Sequence, residues 1–184
     1  MIIQNLTAFV YDLEVFSNLF TCAVKNSESN QIKVYEISQR RNNMPEIIKL
    51  FQNKKIIFVS YNGIHYDNPI ISYILMNYQE LIQLPVWEIN KKLKEFSDLI
   101  INSANSKSWS QYKYANLFPV LDLLTMMFAT KLRVGLKELQ VTMEYKNVQE
   151  YDGDFNAYAP LEDFNKIIQY NINDHCTGAY DRGL

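Results

Sequence analysis

The chain has 184 residues, of which 48% are hydrophobic and 21% charged, and its formal net charge is −2. This length and composition predict a single globular domain, residues 1–184, with a sizeable core, and they exclude a disordered chain. No apolar run approaches the ~20 residues of a membrane-spanning helix, and the first residues lack the basic start of a signal peptide. Two cysteines are too few for a disulfide framework or a zinc site. We therefore expect a cytoplasmic protein without membrane contact.

Three strands are predicted at the start of the chain, where β-branched and aromatic residues are concentrated. They cover residues 6–12, 19–24 and 32–37. The short connections between them predict an antiparallel meander. A helix is predicted over residues 44–52, and the continuous apolar run 56–61 is typical of a strand that is covered on both faces.

Helices and one more strand are predicted in the rest of the chain. The helices cover residues 67–78, 85–101, 123–130, a short stretch from 136, and 160 to about 180, and the strand covers 118–122. We interpret residues 85–110 as a helical insertion that ends in a polar loop over 102–110. Because strands alternate with helices after the meander, the sequence predicts an α/β domain with a mixed sheet.

The first candidate site residues are two carboxylates at the end of the first strand. Asp12 and Glu14 are two residues apart, so in a strand both side chains point to the same face, roughly 6–7 Å apart along it. Two carboxylates beside a core are costly unless a cation compensates their charge. A divalent metal ion does so, although an isolated Asp-x-Glu pair more often lies at a solvated strand end.

The second candidate segment follows the apolar run 56–61. Asn62 comes directly after this strand, and Tyr66 and Asp67 open the next helix. An aspartate at a helix start is ordinarily a cap, and an aromatic residue before it is ordinarily a packing residue. The ends of neighbouring central strands meet at one edge of a sheet, however, so we expect Asp67 to approach Asp12 and Glu14.

The third candidate segment lies on the last helix. Tyr170 and Asp174 are four residues apart and therefore share a helix face. The apolar stripe of this helix is predicted to run through Leu161, Phe164, Ile168, Ile172, Cys176 and Ala179. Tyr170 and Asp174 flank that stripe, so the two residues are either a surface pair or part of a site.

The three segments read Asp-x-Glu, Asn-x-x-x-Tyr-Asp and Tyr-x-x-x-Asp, in this order, from Asp12 to Asp174. This pattern resembles the three motifs of the DEDDy (DnaQ-like, ribonuclease H-like) 3′–5′ exonucleases, and it is most similar to the proofreading domains of phage, family B-like DNA polymerases. Tyr170 indicates the tyrosine subclass, because Gln169 stands where the other subclass has histidine. The resemblance implies a five-stranded mixed sheet, with a three-strand antiparallel meander plus parallel strands, flanked by helices.

The resemblance also implies the chemistry of the site. Two divalent metal ions, Mg²⁺ or Mn²⁺, would be held by four acids, which are Asp12, Glu14, Asp67 and Asp174. Tyr170 would orient the attacking water. Asn62 and Tyr66 would contact a single-stranded DNA 3′ end, and Lys137 resembles a DNA-contacting lysine of some phage polymerases.

A few observations qualify the resemblance. Val15 stands where many proofreading domains have threonine, so one hydroxyl contact to DNA would be missing. His175 is not the family base, and Asp122 is expected to cap a helix or to support the site from behind. The net charge argues only mildly against a nucleic-acid partner, because metal ions would neutralise the acids of the site.

The sequence predicts a metal-dependent 3′–5′ exodeoxyribonuclease and leaves alternatives open. The chain carries no polymerase motifs, so we expect either a stand-alone enzyme or, as we prefer, the proofreading part of a phage polymerase whose other domain lies in the same or another chain. An RNA-trimming exoribonuclease of the same superfamily is an alternative, because the motifs do not distinguish the sugars. A catalytically silent DNA-binding module of the same fold is another.

Overall fold

A six-stranded mixed sheet lies at the centre of the residues that the computed structural model describes, which are 6–105, 117–128, 134–145, 148–149 and 151–176. The strands are β1 (Thr7–Val15), β2 (Leu19–Asn26), β3 (Ile32–Ser38), β4 (Arg41–Asn42), β5 (Ile56–Ser60) and β6 (Val120–Asp122). Their order across the sheet is β4-β3-β2-β1-β5-β6. The predicted α/β class with a mixed sheet is therefore confirmed.

Helices accompany the sheet on both faces. They are α1 (Met44–Phe51), α2 (Asp67–Leu81), α3 (Val86–Asn105), α4 (Leu123–Met127), α5 (Leu136–Thr142) and α6 (Phe164–Cys176). Short 3-10 turns at Gly63–His65 and Leu161–Asp163 lead into α2 and α6. Of the helices described, none is both long and apolar enough to cross a membrane.

The pairing of the strands brings three strand ends to one edge of the sheet. β1 pairs antiparallel with β2, and β2 with β3, which is the predicted meander. β5 lies parallel to β1, and β6 lies parallel to β5. The carboxyl ends of β1, β5 and β6 therefore meet at the same edge, which is where a site in such a sheet is expected.

Two details of the predicted fold are wrong. We expected five strands, but the sheet has six. The additional strand is β4, whose two residues pair with Ile37 and Ser38 at the edge of β3. A strand of two residues carries no periodic pattern, so the sequence gives no signal for it. The polar loop predicted over residues 102–110 begins too early, because α3 continues to Asn105, and residues 106–110 lie outside the described residues.

The two faces of β1 pack against different helices. Tyr11, Leu13 and Val15 point into the main hydrophobic core, which also contains apolar side chains of α1, α2 and α3. The opposite face is covered by α6 through a smaller core that contains Phe16, Leu19, Ala159, Phe164 and Ile167. Since side chains alternate along a strand, Asp12 and Glu14 lie on the α6 face.

Candidate functional site

Glu14 is buried and Asp12 is partly buried near the carboxyl end of β1, on the face covered by α6. Across the antiparallel pair with β2, Asp12 lies opposite Ala23 and Glu14 lies opposite Thr21. These small neighbours leave room above the strand for the two carboxylates. The prediction that both acids emerge on one face of the strand is confirmed.

Asp67 reaches this edge of the sheet from the start of α2. It is the first residue of the helix and is buried, and the N-cap position belongs to Tyr66, whose side chain makes no capping hydrogen bond. The Asp67 carboxylate lies near the backbone of Leu13 in β1, which lowers its pKa against the larger opposing effect of burial. The ordinary interpretation of Asp67 as a helix cap is therefore wrong, because its carboxylate faces β1.

The turn between β5 and α2 is built by Asn62 and Gly63. Asn62 is exposed and has a φ of 61°, in the left-handed region that asparagine tolerates better than most residues. Gly63 is buried, and a Cβ atom there would come 3.2 Å from Asp67 Oδ2 and 2.6 Å from Ser60 Cβ. Only glycine lets the chain pass this close to the side chain of Ser60.

Tyr170 and Asp174 are adjacent on α6, as predicted. The hydroxyl group of Tyr170 is hydrogen bonded to the carboxylate of Asp174. The ammonium group of Lys137, on α5, forms an ion pair with the same carboxylate and lies 4.8 Å from the centroid of the Tyr170 ring. The rings of Tyr151 and Phe155 flank Tyr170, with centroids at 5.9 and 6.4 Å.

The four acids perturb one another across three elements of the fold. Burial, and after it the charge of Asp174, raises the pKa of Asp12 to about 7. Burial likewise raises the pKa of Glu14, where Asp12, Asp174 and Asp67 add to the effect. The pKa of Asp67 is raised by burial and by Asp12, and that of Asp174 is raised by burial against the opposing effect of Lys137. Groups with such shifts concentrate at functional sites.

The side chains of this site have the right chemistry to bind a divalent cation, but their present positions do not form a metal site. All four donors are carboxylates, which are the ligands that Mg²⁺ and Mn²⁺ prefer. Among the described residues, however, no three acidic, histidine or cysteine side chains lie close enough together to hold a metal ion. Asp174 instead pairs with the ammonium group of Lys137. The carboxylates would have to converge further to enclose a cation.

Helix α3 contributes to the wall of the site. Its Ser97 is buried, and the Ser97 Oγ atom lies 2.8 Å from the hydroxyl oxygen of Tyr66. Burial raises the pKa of Tyr66, and Asp67, Glu14 and Asp12 add to that shift, so its hydroxyl lies in the field of the acids. One turn earlier, Lys94 Nζ donates to Asn156 Oδ1 at 3.1 Å.

Asp122 marks the end of β6 at the same edge of the sheet. Its Oδ1 atom accepts a hydrogen bond from the backbone N–H of Thr125 at 2.9 Å, so it caps α4 as predicted. Its Oδ2 atom accepts from the backbone N–H of Ile64 at 3.2 Å. Asp122 therefore ties α4 to the turn that carries Asn62 and Gly63.

The buried face of α6 differs from the predicted apolar stripe. Leu161 is 49% exposed, whereas Phe164, Ile167, Asn171 and Asn173 are buried. Cys176 and Ala179 have no described side chains. The prediction took an apolar residue for every inward position, and it failed because polar groups of the sheet face part of this helix.

Two residues of the site were missed in the sequence, Gly63 and Asn171. Asn171 is buried, and its Nδ2 atom donates to Asp12 Oδ2 at 2.7 Å. The signal for Asn171 was its position three residues before Asp174, which places both on one helix face. The signal for Gly63 was the Asn-Gly pair, which is typical of a tight turn.

Comparison with known proteins identifies no related chain. No family model, no curated protein and no solved structure matches the chain. The resemblance to DEDDy exonucleases therefore stays an expectation from the three sequence motifs, whose acids lie on β1, α2 and α6.

Proposed function

We propose that the protein is a metal-dependent 3′–5′ exonuclease that removes nucleotides from single-stranded DNA ends. One observation carries the proposal above the others. Four carboxylates from β1, α2 and α6 lie close enough that the charges of Asp12, Asp67 and Asp174 raise the pKa values of neighbouring acids on β1 and α2. Such a concentration of buried negative charge is costly for a purely structural site and is relieved by divalent cations.

The acids have distinct roles in this proposal. Asp12, Glu14 and Asp174 would hold one ion, and Asp12 would also reach a second ion that Asp67 supports. The bound ions would stabilise the attacking and leaving oxygens of an in-line displacement at the terminal phosphodiester. For this, Asp174 would exchange the ammonium group of Lys137 for a metal ion, which frees that ammonium group for a phosphate oxygen.

Tyr170 would orient the attacking water and would not act as a base. Burial raises its pKa above the ordinary value, and Asp174 raises it further, so the phenol keeps its proton at neutral pH. A protonated phenol donates one hydrogen bond and accepts others. Its hydrogen bond with Asp174 holds the hydroxyl next to the carboxylates.

The substrate would approach from the exposed turn before α2. Asn62 is exposed there and offers an amide to the DNA strand. Tyr66 is partly buried and packs against the main core, so its ring would bound the space for the terminal nucleotide. Lys137 would supply a positive charge for a phosphate group.

The wider assignment extends the same proposal. The α/β sheet, with an antiparallel meander and two parallel pairings, is compatible with a ribonuclease H-like fold. Together with the sequence motifs, we propose that this domain is the proofreading part of a phage DNA polymerase. The partner would then be a polymerase domain in the same or another chain, and the protein would act in the cytoplasm of the host cell.

A cleavage assay tests the proposal. The protein is incubated with 5′-labelled single-stranded DNA and RNA in Mg²⁺, Mn²⁺ or EDTA, beside the double variant Asp12→Ala/Glu14→Ala. We expect a ladder that shortens from the 3′ end of DNA only with metal and only with the unchanged protein. Preferential shortening of RNA identifies the exoribonuclease alternative, and cleavage by the double variant contradicts the assignment of the site.

One observation favours a different function, that of a catalytically silent DNA-binding module. Lys137 already neutralises Asp174, and the described acids do not converge on a common point. A silent module would bind the labelled DNA without shortening it in any metal ion. The same assay therefore separates this alternative from the exonuclease.

A further inference from the structure

Asn171 lies on the face of α6 that packs against the sheet. It is 0% exposed, and it follows Phe164 and Ile167 along the buried side of the helix. An apolar residue would satisfy packing at such a position, and burying an amide is costly unless its polar atoms are hydrogen bonded. The presence of asparagine here indicates that its hydrogen bonds have a role.

Both ends of the Asn171 amide are engaged with the sheet. Its Nδ2 atom donates to Asp12 Oδ2 at 2.7 Å, and its Oδ1 atom accepts from Thr21 Oγ1 at 3.3 Å. A carboxylate only accepts hydrogen bonds and a hydroxyl can donate, so the neighbours determine which way the amide points. Thr21 is itself fully buried and lies opposite Glu14 in the pairing of β1 with β2.

This chain of hydrogen bonds connects three elements at the acids. Thr21 on β2 orients Asn171 on α6, and Asn171 orients Asp12 on β1. The bond engages Asp12 Oδ2 and restrains the rotation of the carboxylate group. Partners of this kind commonly set the affinity of a metal site.

We propose that Asn171 is a positioning residue that restrains the Asp12 carboxylate for binding a divalent cation, on which the other acids would then converge. The inference rests on the proposed function, because it takes Asp12 to be a metal ligand. Thr21 contributes by holding the amide of Asn171 in place. A side chain of the same size without the amide N–H lets the Asp12 carboxylate rotate, and the site then binds cations more weakly.

The test is a calorimetric titration of the full chain with MnCl₂, without DNA, for the unchanged protein, Asn171→Leu and Thr21→Val. We expect Asn171→Leu to weaken Mn²⁺ binding roughly 10–100-fold, and Thr21→Val to weaken it less. Asn165→Leu is the matched control, because Asn165 lies on the same helix and accepts a hydrogen bond from Arg40 Nη1 at 3.0 Å, away from the acids. Its affinity for Mn²⁺ should equal that of the unchanged protein.

The outcomes separate the inference from the function on which it rests. Thermal unfolding of each metal-free variant shows whether it folds, and a purely structural Asn171 would change that midpoint without changing Mn²⁺ affinity. Unaltered Mn²⁺ affinity in folded Asn171→Leu overturns the inference, and if that variant does not fold, unaltered affinity in Thr21→Val overturns it. If the unchanged protein neither binds Mn²⁺ nor cleaves DNA, the proposed function itself fails.

Discussion

Gly63 stands where the chain passes from β5 into α2, directly beside two side chains. A Cβ atom at this position would come 2.6 Å from the Cβ atom of Ser60, closer still to its hydroxyl oxygen, and 3.2 Å from Asp67 Oδ2. The turn or the side chain of Ser60 must therefore shift to accept any larger residue.

We expect Gly63→Ala to destabilise the protein by about 1–3 kcal/mol, as overpacking of a buried position does. Chemical denaturation measures the free energy of unfolding. Gly135→Ala is the matched control, because an added Cβ atom there meets nothing within 4 Å, and its effect should stay below about 0.5 kcal/mol. Equal effects of the two substitutions would show that the approach to Ser60 is not tight.

Asp12 makes the stability of the metal-free protein depend on pH. Its pKa is about 7 in the folded protein against 3.8 ordinarily, chiefly because it is buried. Below pH ~4 the carboxyl group is protonated in both the folded and the unfolded state. Between pH ~4 and ~7 the unfolded chain releases this proton first, so the free energy of unfolding falls as the pH rises.

Asp12→Asn removes this charge and should stabilise the metal-free protein at pH 7.5 by on the order of 4 kcal/mol, since one pKa unit corresponds to about 1.4 kcal/mol. The difference from the unchanged protein should shrink toward zero near pH ~4. Denaturation in EDTA across this range measures it. Parallel pH profiles for the two proteins would mean that Asp12 is not desolvated.

At the scale of elements, Lys137 on α5 contacts α6. Its ammonium group pairs with Asp174 and lies over the ring of Tyr170. Both side chains of the pair are mostly buried, in contrast to the pair of Lys166 and Asp152, which is exposed on both sides. The two lysines therefore form a matched comparison.

We expect Lys137→Met to weaken binding of a single-stranded oligonucleotide and to reduce the slope of log Kd against log salt concentration by about 0.7, the value for one phosphate contact on a single strand. Fluorescence anisotropy with Ca²⁺ in place of Mg²⁺ measures both. Lys166→Met should leave the slope unchanged. If the two variants lose the same slope, Lys137 does not contact a phosphate group in particular.

Helix α3 is joined to the start of α2 by one hydrogen bond between side chains. The Tyr66 hydroxyl and Ser97 Oγ are 2.8 Å apart, and Ser97 is buried. Helix α3, which we interpreted as part of an insertion, therefore holds the ring of Tyr66 in place. Losing either hydroxyl should free the ring to a similar degree.

A double-mutant cycle with Tyr66→Phe and Ser97→Ala tests this coupling. We expect each variant to raise KM for an oligonucleotide with little change in kcat, and the double variant to be no worse than the single ones. The coupling energy should be about 0.5–1.5 kcal/mol, the usual net contribution of a hydrogen bond. Additive effects would show that the two hydroxyl groups act independently.

At the scale of the molecule, the sequence was sufficient for the regular elements with strong periodic patterns. β1, β2, β3 and α2 were predicted within a few residues, because apolar and β-branched runs are bounded by polar turns. β4 was not predicted, because two residues show no periodic pattern. The inward face of α6 was not predicted correctly, because Asn171 is held there by hydrogen bonds to other elements. Helix propensity and the apolar pattern do not account for such bonds.

The candidate site followed the same division. Local geometry alone predicts that Asp12 and Glu14 share a strand face. It predicts in the same way that Tyr170 and Asp174 share a helix face. The ion pair of Lys137 with Asp174 and the space around Gly63 depend on how separate elements pack. Lys137 and Asp174 are 37 residues apart, and the positions of the Ser60 and Asp67 side chains around Gly63 depend on how the turn packs, so a single sequence does not predict either feature.

The central claim is that these four carboxylates hold a metal ion against the terminal phosphodiester of a DNA strand. Cleavage of an oligonucleotide with a single phosphorothioate at its last linkage, as separated diastereomers, tests it directly. Because Mg²⁺ binds oxygen far better than sulfur, we expect one diastereomer to be cleaved at least ~10-fold more slowly in Mg²⁺ and to regain its rate in Mn²⁺. Equal cleavage of both diastereomers in Mg²⁺, or cleavage in EDTA, would contradict the claim.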